Sequence, residues 1–138
     1  MARRRSSFGL FGMFGRSSNL RQCDQALRSV DLHPRVVPEA IKLTMVNLLQ
    51  DHAIGDEPAP QAYRAAAEIV GYCMIGADGF AGANGTELSD QVERRIEAAL
   101  ESGASLDAQL VLITLNAKVI QPSVVQQFEL EQVALDGG

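Results

Sequence analysis

From Asn19 onward the apolar residues recur at intervals of three and four, and no stretch alternates apolar with polar as a half-buried strand would. That period belongs to the α-helix. Proline and glycine clusters cut it into short pieces, so the expected fold class is all-α. The architecture expected is a compact bundle of about five to six short helices, with short connectors that force neighbours to run antiparallel. A solenoid is the other arrangement such spacing permits. The only internal echo is Pro34-Arg-Val-Val against Pro122-Ser-Val-Val, which is too short to mark a repeat.

The pieces read in order. Leu20, Cys23, Leu27 and Val30 form a narrow seam on a first helix over 19–30, followed by a connector over 31–37 that contains Pro34. Pro38 suits a first helical position, and Ile41, Met45, Leu48, Leu49 and His52 make one face of a second helix over 38–53. After a Pro-rich turn, an alanine-rich helix over 60–75 carries apolar residues on two faces, as a helix closely approached by neighbours would. Four glycines break the stretch 76–85, which reads as a connector with Phe80 plugged into the core. Asn84 with Glu87 resembles a capping box for the next helix, which Gly103 ends. Ser105 is positioned to cap a helix apolar on nearly every side through Ile120, and that helix is expected at the centre of the core. Pro122 starts the last helix, with Val124, Val125, Phe128 and Val133.

Charge divides the chain unevenly. The first 23 residues hold Arg3, Arg4, Arg5, Arg16 and Arg21 and no acid, whereas the remaining 115 hold 7 basic and 17 acidic groups. Residues 1–18 are therefore read as a flexible basic arm and residues 19–138 as an acidic helical domain. The arm also carries Phe8, Phe11 and Phe14, each followed by glycine. Interior glycines cost about 1 kcal/mol each in a helix, so an extended or 3₁₀-like conformation is expected there, with the three rings on one side. Three roles are open to it. It can fold back loosely on the body. It can anchor the protein, its rings entering a membrane interface or partner groove while arginines meet anionic groups. It can serve as a targeting segment, although its apolar stretch is short and glycine-broken, with no A-x-A site. The cytoplasm is the compartment preferred on these grounds.

No constellation of catalytic residues emerges, and neither a cofactor nor a metal is implied. Cys23, Cys73, His33 and His52 lie too far apart in sequence for the close pairs of a zinc site. Both cysteines fall on apolar faces and are read as core residues. The 76–85 stretch lacks the Lys and Ser/Thr of a phosphate loop and the alternating acids of a calcium loop. An acidic body without tryptophan argues against nucleic acid as a partner. Glu93, Glu97 and Glu101 recur along one helix as a solvated face, or as a patch able to hold the basic arm.

The expected function is that of a small non-catalytic binding protein, an adaptor, regulator or accessory subunit. Its binding residues would be Arg3, Arg4, Arg5, Phe8, Phe11, Phe14 and Arg16, and its partner a protein, a second copy of the chain, or a membrane touched peripherally. The alternative is a small-ligand-binding protein or enzyme whose site is lined by Tyr63, Tyr72, His52 and the 76–85 segment.

Overall fold

The computed structural model describes residues 9–53 and 57–130, with side chains from Ser18 onward. Among the described residues there are seven α-helices, one 3₁₀ turn and no strand. The differences from the expected number and lengths lie at the start of the first helix, within 76–85, and after residue 116.

Helix α1 spans Gly9–Ser29, so it begins ten residues before the expected start at 19. The glycines that argued against a helix over 9–18 carry a cost only per residue. Nucleation is the expensive step, and the packed turns around Cys23 and Leu27 supply the nucleus from which the helix extends. Its other end is closed by Asp31 in the left-handed region (φ 63) and by a hydrogen bond from Leu32 N–H to Leu27 O at 3.0 Å. A 3₁₀ turn, Pro34–Val36, follows, with His33 Nδ1 accepting from Arg35 N–H at 3.1 Å.

Helix α2 spans Glu39–Ala53 and buries Ile41, Met45, Val46 and Leu49. Helix α3 spans Pro60–Ile75, with proline at its first position and Gly76 at φ 91 beyond its end. Between Gly76 and Gly85, both at positive φ, the expected connector is instead a helix, α4, Ala77–Asn84. Its single fully enclosed side chain, Phe80, does plug the core. Asn84 is not a cap for the next helix. Gly85 occupies that position, and Asn84 Nδ2 donates to Val30 O at 2.9 Å, tying α4 to the end of α1.

Helix α5 spans Thr86–Ser102, buries Ser89, Val92, Ile96 and Ala99, and stops at Gly103 in the left-handed region. Ser105 caps α6, Leu106–Asn116, by accepting from Ala108 N–H at 3.1 Å. Lys118 at φ 62 then turns the chain out, and Val119 N–H closes back on Thr114 O, so α6 ends before Ile120. The last described helix, α7, is Pro122–Gln127, with Val124 and then Leu130 buried; Val133 lies outside the described residues.

The centre of the core is α3, not α6. Helix α3 touches α1, α2, α4, α5 and α6, and it buries Tyr63, Ala66, Ala67, Ile69, Val70, Gly71, Tyr72 and Cys73. Helix α6 is apolar around its circumference but only half-buried at Leu112, Ile113 and Leu115, because it packs between α2, α3 and α5 without being enclosed. Small residues decide the outcome: alanines and Gly71 let several helices approach α3 at once, which bulky leucines on α6 prevent. No single helix among the described residues is long and apolar enough to cross a membrane.

Candidate functional site

Of the seven arm residues, Arg3, Arg4, Arg5 and Phe8 lie outside the described residues, and so do the side chains of Phe11, Phe14 and Arg16. The backbone of these last three belongs to α1, which replaces the extended conformation expected for them. Phe11 and Phe14 stand three positions apart on that helix, one turn from each other. One continuous helix thus carries the glycine-rich residues 9–18, with Arg16, and the turns that enter the core. Those turns contribute Cys23, Ala26 and Leu27, all buried, and Val30, buried too, follows directly after the helix.

Where α1 crosses α3 the packing is incomplete. A cleft of about 600 Å³ lies between Gln22, Gln25, Ala26 and Ser29 on α1 and Gln61, Tyr63, Arg64, Ala65 and Glu68 on α3. Its walls are small residues and neutral amides, with an Arg64–Glu68 ion pair at 3.3 Å on one side. Gln22 Oε1 and the Tyr63 hydroxyl, on residues that line the cleft, and Asn19 Oδ1 elsewhere on α1 are buried without a hydrogen-bond partner among the described residues. Burial, with smaller contributions from Cys23 and Glu57, pushes the Tyr63 phenol up to about 12. Burial likewise raises the Cys23 thiol to about 12, reinforced by Asp24 and opposed by Lys42.

The residues proposed for a small-ligand site do not face one another. His52 is exposed at the end of α2, Nε2 lying 3.2 Å from Gln109 Oε1, and lines a separate cleft of about 290 Å³ with Glu57 and Leu106. Tyr72 belongs to the other end of α3. Its ring packs against Phe80 at 5.8 Å and Phe128 at 6.4 Å between centroids. Its hydroxyl donates to Glu93 Oε1 at 3.3 Å and accepts from Gln127 Nε2 at 3.0 Å. Burial pushes this phenol up to about 12, with Gln127 opposing and Glu93 adding. Cys73 is enclosed in the core and its thiol is raised to about 12 by burial. Among the described residues no three of His, Cys, Asp and Glu gather as a metal site would require.

Sequence reasoning missed one polar cluster. Arg95 of α5 turns inward at the junction of α3, α5 and α6. It makes a bidentate pair with Asp107 (3.2 and 3.0 Å), reaches Glu68 Oε1 at 2.9 Å and donates to Ala65 O at 3.1 Å. The available signal was its position, one residue before Ile96, on the flank of the apolar stripe rather than opposite it. Arg95→Met is expected to cost about 1–3 kcal/mol in urea unfolding, between the values for exposed and fully buried ion pairs. Arg95→Lys should recover only part of it, because an ammonium cannot make the fork and the carbonyl bond together.

The other charges of α5 face water except Glu93, which the sequence placed on the solvated face. Asp90, Glu97 and Glu101 are exposed and Glu93 is half-buried beside Tyr72. Comparisons with protein-family models, with curated proteins and with solved structures give no match to this chain.

Proposed function

We propose that the protein is a small helical binding protein, an adaptor or accessory subunit of a larger cytoplasmic assembly, whose basic Phe-Gly arm engages an anionic surface on a partner or a membrane. The observation that carries this reading is the continuity of α1. Helix α1 runs from Gly9 to Ser29 and brings Cys23, Ala26 and Leu27 into the core, so the part of the arm from residue 9 to 18 is continuous with a helix of the body. Charge supports it as well: five arginines and no acid in the first 23 residues sit against a body of 17 acids and 7 bases. The dispersal of His52, Tyr63 and Tyr72 to three different places favours binding over a small-molecule site at the 76–85 segment.

Two separable interactions are then in play. Arginines near an anionic surface contribute about 1 kcal/mol each and are screened by salt. A phenylalanine ring fully removed from water contributes about 1.5–3 kcal/mol and is not screened. In co-sedimentation with anionic vesicles, raising salt should weaken retention of the full chain without abolishing it. The variant with Phe8, Phe11 and Phe14 all changed to Ser should be lost at every salt concentration. Equal retention of the two proteins would refute the insertion half of the reading. Retention by a purified protein partner with no vesicle binding would place the anionic surface on that partner.

A further inference from the structure

Asparagine loses its side-chain amide most readily when glycine follows it, because glycine has no side chain to keep its backbone nitrogen from the amide carbon. The chain holds four asparagines, Asn19, Asn47, Asn84 and Asn116, and only Asn84 precedes a glycine.

That pair forms the junction of α4 and α5. Asn84 is the half-buried last residue of α4, and Gly85 follows at φ 98. Three hydrogen bonds hold the junction. Asn84 Nδ2 donates to Val30 O at 2.9 Å and to Phe80 O at 3.4 Å, and Gly85 N–H donates to Ala81 O at 2.7 Å. Val30 and Phe80 also meet over Gly71, where an added Cβ would stand 3.3 Å from Val30 Cγ2 and 3.4 Å from Phe80 Cε1. The Asn84 amide therefore closes a contact between α4 and the end of α1.

We propose that Asn84 is a site of spontaneous deamidation and that its conversion frees α4 from the end of α1. The Gly85 nitrogen gives its proton to water and attacks Asn84 Cγ. A C–N bond forms and closes an imide ring; the Cγ–Nδ2 bond breaks, and the departing nitrogen takes up a proton and leaves as ammonia. Water then adds to either carbonyl of the ring and opens it, leaving aspartate or isoaspartate.

The folded chain holds this reaction back, because the attacking N–H is engaged by Ala81 O and the amide by two carbonyls. Reaction passes through local opening of α4, an eight-residue helix with one buried side chain. The product does not restore the contact. A donating amide becomes a carboxylate that only accepts, facing Val30 O and Phe80 O. Its charge also falls at the C-terminal end of α4, where the helix dipole is already negative. None of this depends on what the arm binds.

The full chain is aged in mildly alkaline buffer, folded and in urea, and amide-to-acid conversion at each asparagine is followed by peptide mass spectrometry. In urea Asn84 should convert fastest, ahead of Asn116, the exposed last residue of α6, which alanine follows. In the folded chain Asn84 should convert at least about ten-fold more slowly than in urea. Faster conversion of another asparagine in urea, or equal Asn84 rates in the two states, would overturn the proposal. Release of α4 is read separately, by limited chymotrypsin cleavage after Phe80, which is wholly buried in the parent chain. Asn84→Asp should be cut there at least about five-fold faster than the parent, and Asn116→Asp at the parent rate. Equal cleavage of Asn84→Asp and the parent would show that the amide does not hold α4, and the proposal fails.

Discussion

Phe80→Ala is expected to remove about 3–5 kcal/mol of stability, the cost of emptying a fully enclosed aromatic site. Phe80 is 0% exposed and is the one buried side chain of α4. Its ring packs on Tyr72, and its Cε1 lies 3.4 Å from where a Cβ on Gly71 would stand, so Gly71 makes room for it. An eight-residue helix holding Gly79 and Gly82 has no independent stability, and without the ring only Asn84 would hold α4 to α1. The loss is a large share of the 5–15 kcal/mol that a domain of this kind has in total. Urea unfolding followed by circular dichroism measures it directly. The control is Asp78→Ala, on the exposed side of the same helix, which should shift the midpoint by less than about 0.5 kcal/mol. A loss below about 1 kcal/mol for Phe80→Ala would mean that α4 is not pinned by this ring.

The second large effect is alkaline. Cys23 and Cys73 rise from 9.0, and Tyr63 and Tyr72 from 10.0, each to about 12, mainly because burial disfavours the anion. The folded pKa lies above the unfolded value in every case, so the folded state holds its protons while the unfolded chain releases them. The stabilisation is complete below pH 9 and is lost as the pH climbs through 9 and 10 towards 12. A rise from 9.0 to about 12 corresponds to about 4 kcal/mol at a cysteine, and one from 10.0 to about 12 to about 3 kcal/mol at a tyrosine. Cys23 adds to the rise at Tyr63, so their contributions do not simply add. Even two of the four approach the whole stability of the domain. Urea midpoints should stay level from pH 7 to about 9 and fall steeply above about 10. A decline that begins below pH 8, or none before pH 12, would contradict the assignment of these four groups to the protonated core.

The helical period and its punctuation made most of this fold legible. The boundaries of α3 follow from Pro60 and Gly76, the cap of α6 from Ser105, and the stop of α5 from Gly103. What escaped notice depended on neighbours. Gly79 and Gly82 have weak helix propensity, and only the burial of Phe80 and the flanking turns at Gly76 and Gly85 make α4 a helix. Likewise α6 looks more buried than α3 when composition alone is read. Enclosure depends on how many helices can come close, and the alanines of α3 admit more of them than the leucines of α6 do. Arg95 turns inward because Glu68 and Asp107 meet at that junction, 27 and 12 residues away in sequence. The unpartnered groups on α1 and α3 share this character, since Gln22 and Tyr63 share a cleft only once the bundle is assembled.

In the proposed function the basic Phe-Gly arm does the binding while the body folds without it. Deleting residues 1–18 tests both halves at once, because it removes all seven arm residues and leaves Cys23, Ala26, Leu27 and Val30 in place. Thermal unfolding by circular dichroism and co-sedimentation with anionic vesicles and with a cell lysate are run on the full and shortened chains in parallel. The shortened protein should unfold cooperatively, with a midpoint close to that of the full chain, and should lose retention on vesicles and partners alike. A shortened chain that no longer folds, or one that is retained as well as the full protein, would contradict the claim.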